Sequence, residues 1–152
     1  MSGIKVSLKG FDDMLDKINK ANGDVNKAAE KAINDSARIA EQELKSAAIS
    51  AGLKSDLVSK IKTRKTAKDN TYEAKVGWEL GAYNPNDLSA GYKAMFINYG
   101  TVRRKTKTGA DRGALTKPPK QKQFIAVAKK KANKRIKQAQ QQVIEKVARD
   151  IK

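Results

Sequence analysis

Thr71-Tyr72-Glu73-Ala74-Lys75-Val76-Gly77-Trp78-Glu79 is the stretch on which the fold turns. Tyr72, Ala74, Val76 and Trp78 share one face of an extended chain, and Glu73, Lys75 and Glu79 share the other. A period of two with one apolar face predicts a half-buried β-strand. Residues 60–66 read as its partner, with Lys68-Asp69-Asn70 as the turn of a β-hairpin. Trp78 and Tyr72 lie on the apolar side of that alternation, so they read as core rather than as ligand contacts. Residues 3–9, Gly-Ile-Lys-Val-Ser-Leu-Lys, alternate in the same way and predict a short further strand.

Helical spacing takes over between and beyond these strands. After Gly10, the residues Phe11, Met14, Leu15 and Ile18 recur at i, i+3, i+4 and i+7. Asp12 and Asp13 stand in the first turn, where carboxylates meet the positive end of the helix dipole. Asn22-Gly23-Asp24 predicts a turn, with Asp24 as N-cap of an alanine-rich helix over 25–51. Its apolar stripe runs through Ala29, Ala32, Ile33, Ala37, Ile39 or Ala40, Leu44, Ala47 and Ala48, and Gly52 supplies a stop. Such small residues let a sheet or second helix approach closely. Ser55-Asp56 is expected to cap one more turn through Leu57, Val58 and Ile61.

Residues 81–91, holding Asn84-Pro85-Asn86-Asp87, read as loop. In the apolar run Ala94-Met95-Phe96-Ile97-Asn98-Tyr99, Phe96 and Tyr99 are expected to form a helical turn packing inward. Gly100 fits a helix-ending position of positive φ. Residues 102–122 are polar and broken by Gly109, Gly113 and Pro118-Pro119. Then Phe124, Ala128, Ala132, Ile136, Ala139, Val143, Val147 and Ile151 form one helical stripe. A helix over about 122–151 would reach about 45 Å, longer than so small a domain needs, so part of it is expected to pack on another protomer. The expected fold is α+β, one domain over 1–152. A short antiparallel sheet, the N-terminal strand plus the hairpin, is packed by the alanine-rich helix and the long C-terminal helix.

Composition bounds the function. Thirty-three lysines and arginines against sixteen acids give a formal charge of +17 on 152 residues, with neither histidine nor cysteine. That charge favours a polyanion or an acidic neighbour as partner. Imidazole and thiol, the usual carriers of acid–base and covalent chemistry near neutral pH, are missing. No glycine-rich phosphate loop or nucleophile elbow is present. The neighbouring acids Asp12/Asp13 and Glu41/Glu43 read as solvated surface or dipole partners. The chain is therefore expected to be no enzyme, with no catalytic or metal-binding residues and no cofactor. Met-Ser-Gly-Ile-Lys lacks the apolar core of a signal peptide, and no stretch reaches the length of a membrane span. The expectation is a soluble protein of a reducing cytoplasm, with no membrane partner.

The sharpest local feature is a flexible basic loop over about 102–122: Arg103, Arg104, Lys105, Lys107, Arg112, Lys117, Lys120 and Lys122, opposed by Asp111 alone. Two readings stand side by side. One is sequence-independent, salt-sensitive contact with a phosphate backbone; the other is a solubilising loop that orders on assembly. Lys129, Lys130, Lys131, Lys134, Arg135 and Lys137 surround the next helix rather than stripe it, which suits a solvated face. Aromatics are 5 % of the chain and are not interleaved with the basic residues, so a base-stacking platform is not expected.

The order of these pieces resembles a family of tail-component proteins of long-tailed bacteriophages, the neck or tail-completion proteins. The shared pattern opens with a strand and a Gly-Phe-Asp helix start, here Ile4 to Leu8 and Gly10-Phe11-Asp12. An alanine-rich helix then leads to Gly52-Leu53 and a hairpin. An aromatic–aliphatic run closing in Gly-Thr follows, Phe96-Ile97-Asn98-Tyr99-Gly100-Thr101. Last comes a proline-flanked start to the final helix, Pro118-Pro119 and Phe124-Ile125 to Ala128. The family often has an acid where this chain has Asn98, and proline where Gln123 stands. The resemblance implies a structural virion protein made in the host cytoplasm and assembled into a homo-oligomeric ring at the head–tail junction, beside other neck and tail proteins. It also puts Phe96, Tyr99, Gly100, Thr101, Phe124 and Ile125 forward as subunit-packing residues, and the basic loop as a contact for DNA or protein. A small, non-specific DNA-binding protein is the alternative reading.

Overall fold

The computed structural model describes residues 1–8, 12–20, 24–68, 71–84, 86–101, 108–110, 113–114, 116–119 and 122–150. In chain order the elements are β1 (Ser2–Ser7), α1 (Asp12–Lys20), α2 (Val25–Ser50), α3 (Ser55–Val58), β2 (Lys62–Lys68), β3 (Thr71–Trp78), α4 (Ala90–Tyr99) and α5 (Phe124–Asp150). The fold is α+β, as expected. Gly10, Phe11, the Asn22-Gly23 and Asp69-Asn70 pairs, Pro85 and Ile151 lie outside the described residues.

The strand with the clearest alternation takes the centre. The sheet order is β1-β3-β2, antiparallel throughout. Ile4 lies opposite Val76 and Val6 opposite Ala74, and all four are buried with Trp78 on the side that faces the helices. The opposite face carries Lys5, Arg64 and Lys75, all exposed, so one face is dry and one wet. The second hairpin strand was expected from residue 60, but β2 starts at Lys62, because Ile61 turns inward and joins the core.

α2 runs with β3. Near its start the Tyr72 hydroxyl donates to Asn26 Oδ1, and further along the Thr63 hydroxyl donates to Glu41 at 3.1 Å. Lys45 Nζ hydrogen-bonds Glu41 at 2.6 Å and holds its carboxyl below the ordinary glutamate range, with Thr63 adding to the effect. The N-cap is Asp24, whose carboxylate accepts from the Lys27 amide at 3.0 Å, and Gly52 at φ 81° ends the helix. Ala28 and Ser36 extend the buried stripe beyond the sequence reading. Ser36 is tolerated in the core because its hydroxyl donates to the Ala32 carbonyl at 2.6 Å. α3 starts at Ser55 after Lys54, so neither Ser55 nor Asp56 caps it; Asp56 sits in the first turn instead.

α5 runs opposite to α2. Phe124 meets Trp78 at one end of the sheet and Gln140 Nε2 donates to the Ser7 carbonyl at the other, 3.2 Å away. Its buried line is Phe124, Ile125, Ala128, Ala132, Ile136, Gln140 and Ile144. The expected stripe departs from this after Ile136: Ala139, Val143 and Val147 are half-buried, while Gln140 and Ile144 go fully inward. A straight helix of 3.6 residues per turn drifts against any fixed spacing, so both rows share the buried side. α5, with 27 residues, packs along α2, with 26, and Val143, Val147 and Ala148 near its end still rest on the core. No described helix is long and apolar enough to cross a membrane.

Candidate assembly surface

α4 is apolar on both sides, and the two sides do different things. Gly91, Ala94 and Asn98 recur at i, i+3 and i+7 and are buried. The helix begins at Ala90, inside the stretch expected as loop, because Ser89 caps it: its hydroxyl accepts from the Tyr92 amide at 3.4 Å and donates to the Leu80 carbonyl. The close approach is at Gly91, where a Cβ would come within 2.3 Å of the Glu79 carbonyl oxygen. The Ser2 hydroxyl meets Met95 Sδ and ties the same helix to β1.

The outward side carries Tyr92, Phe96 and Tyr99 at i, i+4 and i+7, one helical face. Tyr83 from the preceding loop stacks edge-on against Tyr92, ring centroids 5.2 Å apart at 76°, and Tyr92 leans on Phe96 at 6.3 Å. Tyr83 is 53 % exposed and Tyr99 41 %. Three of the chain's four tyrosines thus share one face, Tyr83 and Tyr99 exposed and Tyr92 half-buried. The inward packing expected of Tyr99 is not found, because glycine, alanine and asparagine occupy the inner side of α4 and leave the rings no room there. Aromatic rings with wet hydroxyls are the side chains that concentrate at protein interfaces.

At the end of α4, Gly100 adopts φ 75° and its amide donates to the Phe96 carbonyl at 2.8 Å, as expected of a helix stop. Thr101 is half-buried. Phe124 and Ile125 sit inside this chain's core, 3 % and 7 % exposed, and not on the aromatic face. Phe124 packs edge-on against Trp78, centroids 5.8 Å apart at 81°, and the Trp78 indole donates to the Leu57 carbonyl at 2.7 Å.

Asn98 joins the two halves of the site. Its Oδ1 accepts from the Ile125 amide at 3.0 Å, which satisfies one of the free N–H groups opening α5. In the sequence Asn98 stands out only as a departure from the family pattern, because nothing within its own segment shows that its carboxamide is buried. Asn98→Ala is expected to cost about 1–3 kcal/mol, because a buried donor loses its partner. Thermal unfolding should show the loss, and hydrogen exchange should find the first turn of α5 opened.

Of the expected basic contacts, Lys117 and Lys122 are exposed, while Arg103, Arg104, Lys105, Lys107, Arg112 and Lys120 lie outside the described residues. Gln123 is buried, its amide donating to the Pro118 carbonyl at 3.3 Å. On α5, Lys129, Lys130, Lys131, Lys134 and Lys137 are exposed, and Arg135 pairs with Glu43. These residues cover every side of the helix except the inner one, which Ala128, Ala132 and Ile136 take; Lys130, Lys134 and Lys137, at i, i+4 and i+7, share one outward line. Among the described residues no three acids group as metal ligands would.

Residues 12–100 match the family model described as "Bacteriophage HK97-gp10, putative tail-component". The match spans α1 to Gly100 and so includes the α4 face. No curated protein and no solved structure matches the chain.

Proposed function

The chain belongs to the HK97-gp10-like family of bacteriophage tail components, and from that membership we propose that it is a neck or tail-completion subunit, placed in a ring at the head–tail junction through the aromatic face of α4. It is a structural tail component, so its partners are other virion proteins. The observation that carries the finer reading is the row Tyr83, Tyr92, Phe96 and Tyr99, in which Tyr83 and Tyr99 are exposed and Tyr92 and Phe96 half-buried. A structural subunit needs an exposed face rich in rings, since tyrosine is a frequent source of interface hot spots, each worth about 2 kcal/mol or more.

The test is complementation of a phage lacking this gene with the Tyr83→Ser/Tyr99→Ser chain. Both residues are exposed, so the melting temperature should stay close to that of the unaltered protein. Virion yield should fall steeply, and electron microscopy should find heads and tails unjoined. Full yield from the variant would sink the proposal.

One observation favours the alternative, sequence-independent DNA contact: the lysine stripe of α5 shows no carboxylate partner among the described residues. A duplex titrated at several salt concentrations separates the readings. DNA binding by the isolated chain should weaken linearly in logarithm against logarithm of salt, and absence of binding at low salt would remove it.

A further inference from the structure

The register of the sheet builds a feature on its open face that no single strand contains. Lys5, Lys75 and Arg64 lie directly opposite one another across β1, β3 and β2. Directly opposed residues have Cβ atoms about 5 Å apart, and like charges so placed destabilise a sheet. The flanks of the row are relieved: Lys5 pairs with Glu73 at 2.6 Å and Arg64 with Glu79 at 2.6 Å, with Lys62 at 3.9 Å from Glu79. Lys75, in the middle, meets no carboxylate among the described residues.

Beside that lysine the next row is Gly3, Gly77 and Lys62, with glycine on both β1 and β3. Gly3 lies opposite Gly77, and a Cβ on either would strike the other strand's backbone, 1.9 Å from the Val76 oxygen or 2.0 Å from the Ser2 oxygen. On the Gly3 side of this step lies a depression of about 160 Å³ lined by Met1, Gly3, Ile4, Lys5, Lys75 and Val76. A water claims about 30 Å³ of liquid volume, so the depression has room for a side-chain carboxylate.

We propose that this face receives an acidic side chain of a partner protein, its carboxylate lying between Lys5 and Lys75 beside Gly3. Charge complementarity selects the occupant: two opposed cations, one without a partner, frame a recess of single-side-chain size. Protein is favoured over nucleic acid because Glu73 and Glu79 border the row and would repel a continuous line of phosphates. The recess is also one residue pair long, whereas a duplex presents charge every ~1.7 Å along its axis. The site lies on the opposite face of the sheet from the helices and makes no use of the α4 rings, so it goes beyond the assembly role proposed above.

The probe is a capped tetraglutamate peptide titrated into the full chain and followed by amide chemical shifts. Shifts should centre on Gly3, Lys5, Lys75 and Gly77, ahead of those on the α5 lysines. Lys75→Glu should weaken that response about tenfold or more, with Lys75→Ala as a second variant should the reversal disturb folding and Lys134→Glu leaving it intact. Four results would overturn the proposal. They are shifts confined to α5, a response indifferent to both Lys75 variants, a short duplex that moves the same amides at lower concentration than the peptide, or shifts that grow with protein concentration and no peptide.

Discussion

Trp78→Ala is expected to remove about 3–5 kcal/mol of stability, the range for deleting a large buried aromatic. Trp78 is the chain's one tryptophan, 1 % exposed, at the end of the central strand where three other elements converge. Its ring bears on Phe124 of α5 and its N–H satisfies the Leu57 carbonyl of α3. Truncation leaves a cavity, removes an aromatic pair worth about 0.5–1.5 kcal/mol beyond its area, and orphans a carbonyl. Domains have about 5–15 kcal/mol in total, so the loss is a large share of it and the urea midpoint should fall well below that of the unaltered chain. Trp78→Phe should fall between, since it keeps a ring against Phe124 and loses the bond to Leu57. Urea unfolding followed by far-ultraviolet circular dichroism measures both; a loss under about 1 kcal/mol for the alanine variant would contradict the packing derived above.

Gly91→Ala tests a sign as well as a size. Helix propensity alone favours alanine over glycine, by at most about 1 kcal/mol for a residue in the first turn. Packing opposes it: the new methyl would lie 2.3 Å from the Glu79 carbonyl oxygen and 2.9 Å from its carbon, both backbone atoms that cannot rotate away. α4 would have to lift from β3, and overpacking of this kind costs about 1–3 kcal/mol. Destabilisation is therefore expected, and with it a fall in virion yield, because the aromatic face rides on the displaced helix. A stabilised variant of full yield would mean that α4 is free to move. Serine at Gly91 should behave like alanine, since the Cβ itself makes the clash.

Much of this fold was legible from local periodicity. The alternation in 71–79 placed β3 and its buried face, and the stripe in 25–51 placed α2 with Asp24 as its cap. Those features depend on neighbours within four residues, so a linear reading captures them. The inward reading of Tyr99 failed for the opposite reason. Phe96 and Tyr99 form an apolar pair, but Gly91, Ala94 and Asn98 form an equally good line, and spacing alone does not say which side of α4 meets the sheet. The contact at Gly91 decides it. The same holds for α5, whose stripe of small residues was visible while the inward turn of Gln140 depended on the Ser7 carbonyl waiting there.

Alternation, capping residues and charge were sufficient for the element types, the identity of the core strand and the absence of histidine and cysteine chemistry. Only the folded chain set Lys75 between Lys5 and Arg64, placed Gly3 opposite Gly77, put three tyrosines on one face and bound Asn98 to the start of α5. Element type follows from short-range backbone preference. These juxtapositions come from strand register and helix docking, which are settled by packing between residues far apart in the chain, 133 positions for Ser7 and Gln140, and leave no periodic trace in either segment alone.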